Sequence, residues 1–294
     1  MPPIARRGAG AVRIIVESRF LDARAHRPRD RSDPRMPGTL PLSLVVITRD
    51  AAKDLAACLA SVPFASEIVV VDAGSGDDTV EIARRFDARV LACEWRGFGP
   101  QKHYAVSAAG HDWVLCLDAD ERATPELERA IRAAFAAGDP AAPAFAIARR
   151  NRFLGRWLAH GEGYPDWCAR LFNRMNARWS DDLVHEKVLF AVTPGTLQGD
   201  LLHEPPGGLA AWMERQNQIT SLAARQAFEE GRHANMLHLF LSPAVRFLKF
   251  YLLRLGVLDG LAGLVHISLG CLASYMKYAK LLELQRRGVD SRRV

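Results

Sequence analysis

No two cysteines in this 294-residue chain follow a C-x-x-C spacing. The five present (Cys58, Cys93, Cys116, Cys168 and Cys271) are odd in number, and several lie inside apolar runs. They read as reduced thiols of a cytosolic protein, neither a disulfide framework nor a zinc site. No internal repeat and no heptad array is found, which argues against solenoid and coiled-coil architectures. No secretory signal is evident either: Ile14-Ile15-Val16 is too short for its apolar region, and Glu17 follows. The centre of the chain also lacks positive charge. The net charge of +6 sits at the ends, with +5 over residues 1–40 and +6 over residues 236–294, leaving −5 between them. A nucleic-acid partner would want basic residues on the folded module, so none is expected. A basic C-terminal region suits an anionic membrane surface better.

The remaining sequence divides in three. Residues 1–40, rich in Arg, Pro and Asp, are expected to be disordered, and Met36 is a second candidate start. From residue 41 to 205, strands alternate with helices. Strands are predicted at Leu42–Thr48, Glu67–Asp72, Arg89–Ala92 and Trp113–Asp118, and helices at Ala52–Val62, Asp77–Phe86 and Pro100–Ala109. Thr124 is an N-cap, with Pro125 in the first position of the next helix. This alternation implies crossover units and a mostly parallel sheet of α/β class. Beyond Pro143 the pattern loosens, with strands expected at Ala144–Arg149, Ala169–Phe172 and Leu183–Phe190. Residues 206–294 read as helical, through Leu209–Glu230 and from Met236 onward. Leu255–Met276 is long and apolar enough to cross a bilayer. Asp259, the glycines and the neighbouring Arg246, Lys249 and Arg254 favour a helical hairpin on the membrane surface, and a buried helix covering the sheet is the third reading.

Two constellations carry chemistry. Trp113-Val114-Leu115-Cys116-Leu117-Asp118-Ala119-Asp120-Glu121 is a buried strand ending in two carboxylates one residue apart. In an extended backbone these share a side-chain direction, at the strand end where α/β sheets bind ligands. Paired carboxylates there suit a divalent cation completed by substrate phosphates; a plain helix N-terminus is the simpler alternative. Asp72-Ala73-Gly74-Ser75-Gly76-Asp77-Asp78-Thr79 likewise follows a strand and opens a helix. Its glycines permit a tight turn, and Asp72 is placed to meet a base or ribose, while Asp77 and Asp78 read as helix caps. The same turn resembles the first motif of S-adenosylmethionine-dependent methyltransferases, with Glu94 near the ribose-binding position. A complete strand–helix unit precedes it, however, and that reading gives Asp118 and Asp120 no role.

Taken in order, Thr48-Arg49-Asp50, the Val71–Thr79 turn, Trp95-Arg96-Gly97-Phe98-Gly99-Pro100-Gln101-Lys102 and Asp118-Ala119-Asp120 resemble an inverting family 2 glycosyltransferase of GT-A fold. Tyr164-Pro165-Asp166, Arg170-Leu171-Phe172, Val184-His185-Glu186, Leu202-His203-Glu204-Pro205-Pro206 and Leu258-Asp259-Gly260 are similar to its lipopolysaccharide core β-glucosyltransferase branch. The first motif departs from the usual Thr-x-Asn-Glu. In the second, Ala73 and Gly76 replace hydroxyl residues, and His103 stands where Asn commonly follows Gln-Lys.

The resemblance implies a GT-A domain over 41–205, a Rossmann-like and mostly parallel sheet; the helical region over 206–294 is expected from its composition to associate with the membrane surface. It implies a nucleotide-sugar donor, UDP-glucose foremost, bound by Thr48, Asp50, Asp72, Gly74, Lys102, Asp118 and Arg170. Mg2+ or Mn2+ would be held by Asp120 with Asp118 nearby. The acceptor would be a lipopolysaccharide core precursor at the cytoplasmic face of the inner membrane. A carboxylate must accept the acceptor's proton: Glu186 is the first candidate and Asp166 the second. Arg170 is equally suited to a structural ion pair. His185 and His203 are candidate acceptor contacts, and Trp95, Trp157 and Trp167 candidate sugar-stacking rings. Besides the methyltransferase, a non-catalytic nucleotide-sugar-binding protein remains the other alternative.

Overall fold

The computed structural model describes residues 38–182, 186–205 and 207–290. The extension expected over residues 1–40 lies outside the described residues up to residue 37. The first strands, β1 (Leu40–Thr48), β2 (Ala65–Asp72), β3 (Arg89–Ala92) and β4 (Trp113–Asp118), lie parallel in the order β3-β2-β1-β4. Their sequences are apolar almost throughout because both faces are covered, as parallel sheets require. Leu42, Leu44, Val46, Val70, Leu115 and Leu117 pack on one face against helices α1 (Ala52–Ala60), α2 (Thr79–Arg85) and α4 (Pro125–Ala134). Val45, Val69, Val71, Val114 and Cys116 pack on the other against α3 (Phe98–Ser107) and Trp179. Full burial of each such Val or Leu contributes about 1.5–3 kcal/mol, so strand register is fixed from both sides.

The sheet continues through strands less evident in the sequence. β8 (Asp166–Asn173) runs antiparallel to β4. β6 (Ala144–Phe153) is antiparallel to β8, β11 (Gly195–His203) is parallel to β6, and β5 (Glu121–Ala123) closes the edge antiparallel to β11. The short β7 (Arg156–Trp157) pairs with β6, and β9 (Ala177–Trp179) with β10 (Val188–Phe190) forms a separate ribbon. Of the strand expected over Leu183–Phe190, only Val188–Phe190 is extended, and residues 183–185 are outside the described residues. Thr124 caps α4 as expected, its hydroxyl accepting from Leu127 N at 3.3 Å. α3 begins at Phe98, two residues ahead of the expected Pro100. Pro100 still falls in the first turn, where its missing N–H removes no helical bond.

The C-terminal region comprises α5 (Gly208–Glu229), α6 (Met236–Phe247), a π-helical turn (Leu248–Leu253), a 3-10 turn (Gly256–Asp259) and α7 (Gly260–Asp290). The hairpin predicted inside Leu255–Met276 is instead a larger one. Its arms are α6 with the π turn and α7, with its corner at residues 254–259. Leu255 takes a left-handed conformation there (φ 55°). Ser242 Oγ meets Ser274 Oγ at 2.9 Å, and Cys271 Sγ lies 3.3 Å from Pro243 O across the arms. Asp259, read in sequence as a mark of surface exposure, is 1% exposed. Its carboxylate accepts the backbone N–H of Ala159 at 3.1 Å and of His160 at 2.8 Å. Bonds from charged acceptors to backbone N–H groups are among the stronger ones, so this corner is pinned to the segment after β7.

Candidate active site

The ends of β1, β2 and β4 and the start of β8 meet along one edge of the sheet. Thr48 pairs with Asp72, Ile47 with Asp118, Arg149 with Asp166, and His203 with both Asn151 and Glu121. The edge therefore collects most of the residues singled out in the sequence, but it distributes them into separate groups.

Thr48 Oγ1 donates to Asp72 Oδ1 at 2.9 Å. The N–H groups of Gly74 (3.0 Å) and Ser75 (2.8 Å) donate to Asp72 Oδ2, and Ser75 Oγ donates to Oδ1 at 2.5 Å. Burial pushes the Asp72 carboxyl upward, but the bonds from Ser75, Thr48 and Gly74 outweigh it and hold its pKa below the usual range. Gly74 takes φ 81° in this turn, a conformation open to glycine. Asp72 and Thr48 are 5% and 4% exposed, so their polar atoms organise the turn. Asp50 remains exposed, and its Oδ1 accepts Gly76 N–H at 2.8 Å, stitching the loops after β1 and β2 together.

The second group is a row of alternating charges. Glu186 Oε1 lies 2.6 Å from Lys102 Nζ, and Lys102 Nζ 2.8 Å from Asp118 Oδ1. Arg170 bridges Asp118 (2.5 Å) and Glu121 (2.7 Å), and Arg149 bridges Glu121 (3.2 Å) and Asp166 (2.7 Å). Burial alone would raise the Asp118 carboxyl, but Arg170 first and Lys102 next hold it well below the usual carboxylate range. Burial disfavours the Lys102 ammonium, yet Asp118 above all and then Glu186 hold its pKa above the ordinary lysine value. Arg170, expected among the donor-binding residues, takes the structural alternative. Its guanidinium is committed to two carboxylates, and its side chain is 5% exposed.

The strand ends at Asp118, so the common direction expected for Asp118 and Asp120 is not kept. Asp120 lies in the turn before β5 and faces His203, with Oδ2 3.4 Å from Nε2. Asn151 Nδ2 donates to Gly163 O at 3.0 Å, which turns Asn151 Oδ1 toward His203 Nδ1 at 2.6 Å. His203 thus meets Asn151 through Nδ1 and the Asp120 carboxylate through Nε2. A carboxylate and an imidazole nitrogen are both donor types that divalent cations accept.

A cavity of about 720 Å3 opens beside this edge, between the sheet and the C-terminal helices. Of the residues predicted from sequence, Asp166, His203 and Trp167 line it. Asp166 gives both Arg149 contacts to Oδ2. Its Oδ1 has no nitrogen or oxygen partner among the described residues, only Cys168 Sγ at 3.9 Å. Glu186 is not among the lining residues, and His185 lies outside the described residues. Sequence reasoning missed Glu121, which is fully buried at the centre of the row. An acid just ahead of a helix N-terminus is too common to stand out. It also missed the role of Arg149, whose partners come from distant strands.

The sheet, ordered β3-β2-β1-β4-β8-β6-β11-β5 with its acids on one edge and helices on both faces, is an α/β fold joined to a helical C-terminal region. Residues 43–190, half of the chain, match the family described as Glycosyl transferase family 2, and the chain belongs to that family. It is similar to the lipopolysaccharide core biosynthesis glycosyltransferase LpsC of Rhizobium meliloti (strain 1021), at 29% identity over 261 residues. That match spans 86% of this chain and 95% of the relative. An uncharacterized glycosyltransferase of Rickettsia typhi (strain ATCC VR-144 / Wilmington) is 28% identical over 254 residues, covering 83% and 87%. Among solved structures, S. aureus TarS in complex with UDP-GlcNAc aligns with a TM-score of 0.42 and 14% identity, over 85% of this chain and 92% of that one. The protein is a glycosyltransferase, and the methyltransferase and non-catalytic readings fall away.

Proposed function

We propose that this enzyme transfers a hexose, glucose from UDP-glucose, with inversion onto a core sugar of a lipopolysaccharide precursor. The observation that carries the chemistry is the Asp120–His203 pair beside a cavity lined by Asp166, whose Oδ1 has no nitrogen or oxygen partner among the described residues. The acceptor class is supported by the name of the R. meliloti relative and by the sequence motifs shared with that branch.

The family implies Mg2+ or Mn2+. Among the described residues no cluster of three or more His, Cys, Asp or Glu could hold a metal alone. Both Asp118 oxygens already face cations, so Asp118 does not fit as a direct ligand. Asp120 and His203 do fit as two ligands, with the donor's diphosphate supplying others. Asn151 orients the imidazole, as outer partners of metal-bound histidines do. When bound, the cation stabilises charge on the departing diphosphate. Lys102 on α3, held between Asp118 and Glu186 with its side chain 6% exposed, is committed in the same way as Arg170. Asp166 is the better placed base: it lines the cavity, Arg149 holds it through Oδ2, and Oδ1 is left with only Cys168 Sγ at 3.9 Å. Glu186, first in the sequence ranking, is held by Lys102 away from that cavity.

A peripheral seat on the cytoplasmic face of the inner membrane completes the reading. Met236–Leu253 and Gly256–Arg287 are each long and apolar enough to cross a membrane. Packed as arms of one hairpin against the catalytic domain, they favour lying on the surface. Leu237, Leu248, Leu252, Leu253 and Leu255 are 50–80% exposed along one arm and its corner, with Lys249 among them.

Calorimetric titration with UDP, with and without Mn2+, tests the donor site. Metal-dependent binding that weakens at least about tenfold in Asp120→Ala and in His203→Ala is expected. Binding indifferent to metal and to both variants would sink the assignment.

A further inference from the structure

The cavity beside Asp166 carries an excess of cationic side chains over acids. Five arginines line it, against Glu162 and Asp166. Arg149 pairs with Glu121 and Asp166, Arg152 with Glu204, and Arg246 with Glu162, and Arg215 is engaged as well. Arg254 has no acidic partner among the described residues. Its guanidinium makes one long bond, 3.4 Å to Pro165 O, and sits 5.6 Å from the Phe250 ring. Arg246 lies at the same distance from that ring, so two guanidinium groups flank one aromatic side chain in the cavity wall. Gathering like charges at a partly desolvated site is unfavourable unless an anion joins them.

Two further polar atoms in this wall are unpartnered. Arg152 Nε and His266 Nδ1 are buried without a hydrogen-bond partner, whereas buried polar groups are nearly always satisfied. The fold also makes room for the charge cluster. A side chain at Gly270 of α7 would come within 2.6 Å of Glu162 Oε2 and 3.0 Å of Arg246 Nε. Trp167, 52% exposed, lines the same cavity. An accessible Trp in a cavity that also holds guanidinium groups is suited to a sugar ring carrying a negative group.

We propose that this cavity is the acceptor subsite and that it selects a sugar bearing an anionic substituent, a carboxylate or a phosphate, paired with Arg254. The inference rests on the glycosyltransferase reading above, in which Asp166 meets the acceptor. It adds the charge of the acceptor and the residue that reads it.

The test uses the intact protein, with quenching of tryptophan fluorescence as the readout, since Trp167 and Trp212 line the cavity. The probes are glucuronic acid for the carboxylate, mannose 6-phosphate for the phosphate, and neutral methyl mannoside; UDP with Mn2+ is titrated in parallel. Saturable quenching by at least one acidic sugar, and not by the neutral one, is expected, and the responding probe identifies the anion. Arg254→Gln should weaken that binding at least about tenfold, and Arg254→Lys less, with UDP binding unchanged in both. A purely structural role for Arg254 would not alter the preference for acidic over neutral sugars. The proposal is overturned if no acidic probe quenches up to its solubility limit, if the neutral sugar binds equally well, or if Arg254→Gln binds the acidic sugar like wild type. Loss of UDP binding by the wild-type protein with acidic-sugar binding retained would instead remove the donor assignment and leave the cavity's.

Discussion

Replacing Arg170 with Met removes the one cation that Asp118 and Glu121 share among the described residues. Deleting one partner of a buried ion pair typically costs about 3–5 kcal/mol, because the other charge is left uncompensated. Here neither acid is fully orphaned. Glu121 keeps Arg149 at 3.2 Å and the Asp118 N–H at 3.0 Å, and Asp118 keeps Lys102 at 2.8 Å. The lower end, about 3 kcal/mol, is therefore expected. For a protein of this size that lowers Tm by about 6–12 °C, readable in a circular-dichroism melt. The pH dependence follows from Asp118, whose folded pKa lies well below its ordinary value against the effect of burial, through Arg170 first and Lys102 next. A depressed folded pKa gives stability that is fully present above the unfolded pKa, about 3.9, and is lost as pH falls below it. The gap between wild type and Arg170→Met should thus be widest near neutrality and should narrow as the pH drops through about 4. A gap under about 1 kcal/mol at neutral pH, or one that widens on acidification, would refute this account of the row.

Three further outcomes are expected. Gly99→Ala would place a Cβ 2.2 Å from Ser180 O and 2.5 Å from Asp182 O; a loss of about 1–3 kcal/mol in urea unfolding is expected, and wild-type stability would show that the 180–182 segment yields freely. Thr124→Ala removes the α4 cap and the acceptor for Asp200 N–H at 3.1 Å, so about 1–2 kcal/mol should be lost in the same measurement. The double variant Leu252→Glu/Leu253→Glu alters side chains 52% and 80% exposed; sedimentation with anionic vesicles should fall sharply while stability stays within about 0.5 kcal/mol, and undiminished sedimentation would place the membrane contact elsewhere.

The parallel half of the sheet was legible because its strands are apolar on both faces, α1 and α4 carry apolar stripes, and Thr124 caps α4. β11 was not: Gly-Thr-Leu-Gln-Gly-Asp-Leu-Leu-His contains a single β-branched residue and two glycines. It is a strand because β6 and β5 pair with it, which is tertiary context and not propensity. Asp118 and Asp120 were visible as a pair, but extending the strand's period of two past Leu117 misjudged their directions, since the backbone turns between Asp118 and Glu121. Arg170 showed a fork suited to phosphate; that carboxylates occupy it instead depends on Glu121 arriving from another strand. The cavity arginines come from β6, α5, α6 and the turn before Leu255, and no local pattern links them.

The row from Glu186 through Lys102, Asp118, Arg170, Glu121 and Arg149 to Asp166 joins both candidate bases by an unbroken chain of ion pairs. Residues that share one salt-bridge network are energetically coupled. Substitutions along the row are therefore expected to alter rates even where they touch no substrate, and their effects not to add. A measured change at Glu186 is then compatible with a base at Asp166, and only crossed pairs of variants can assign the proton to one end.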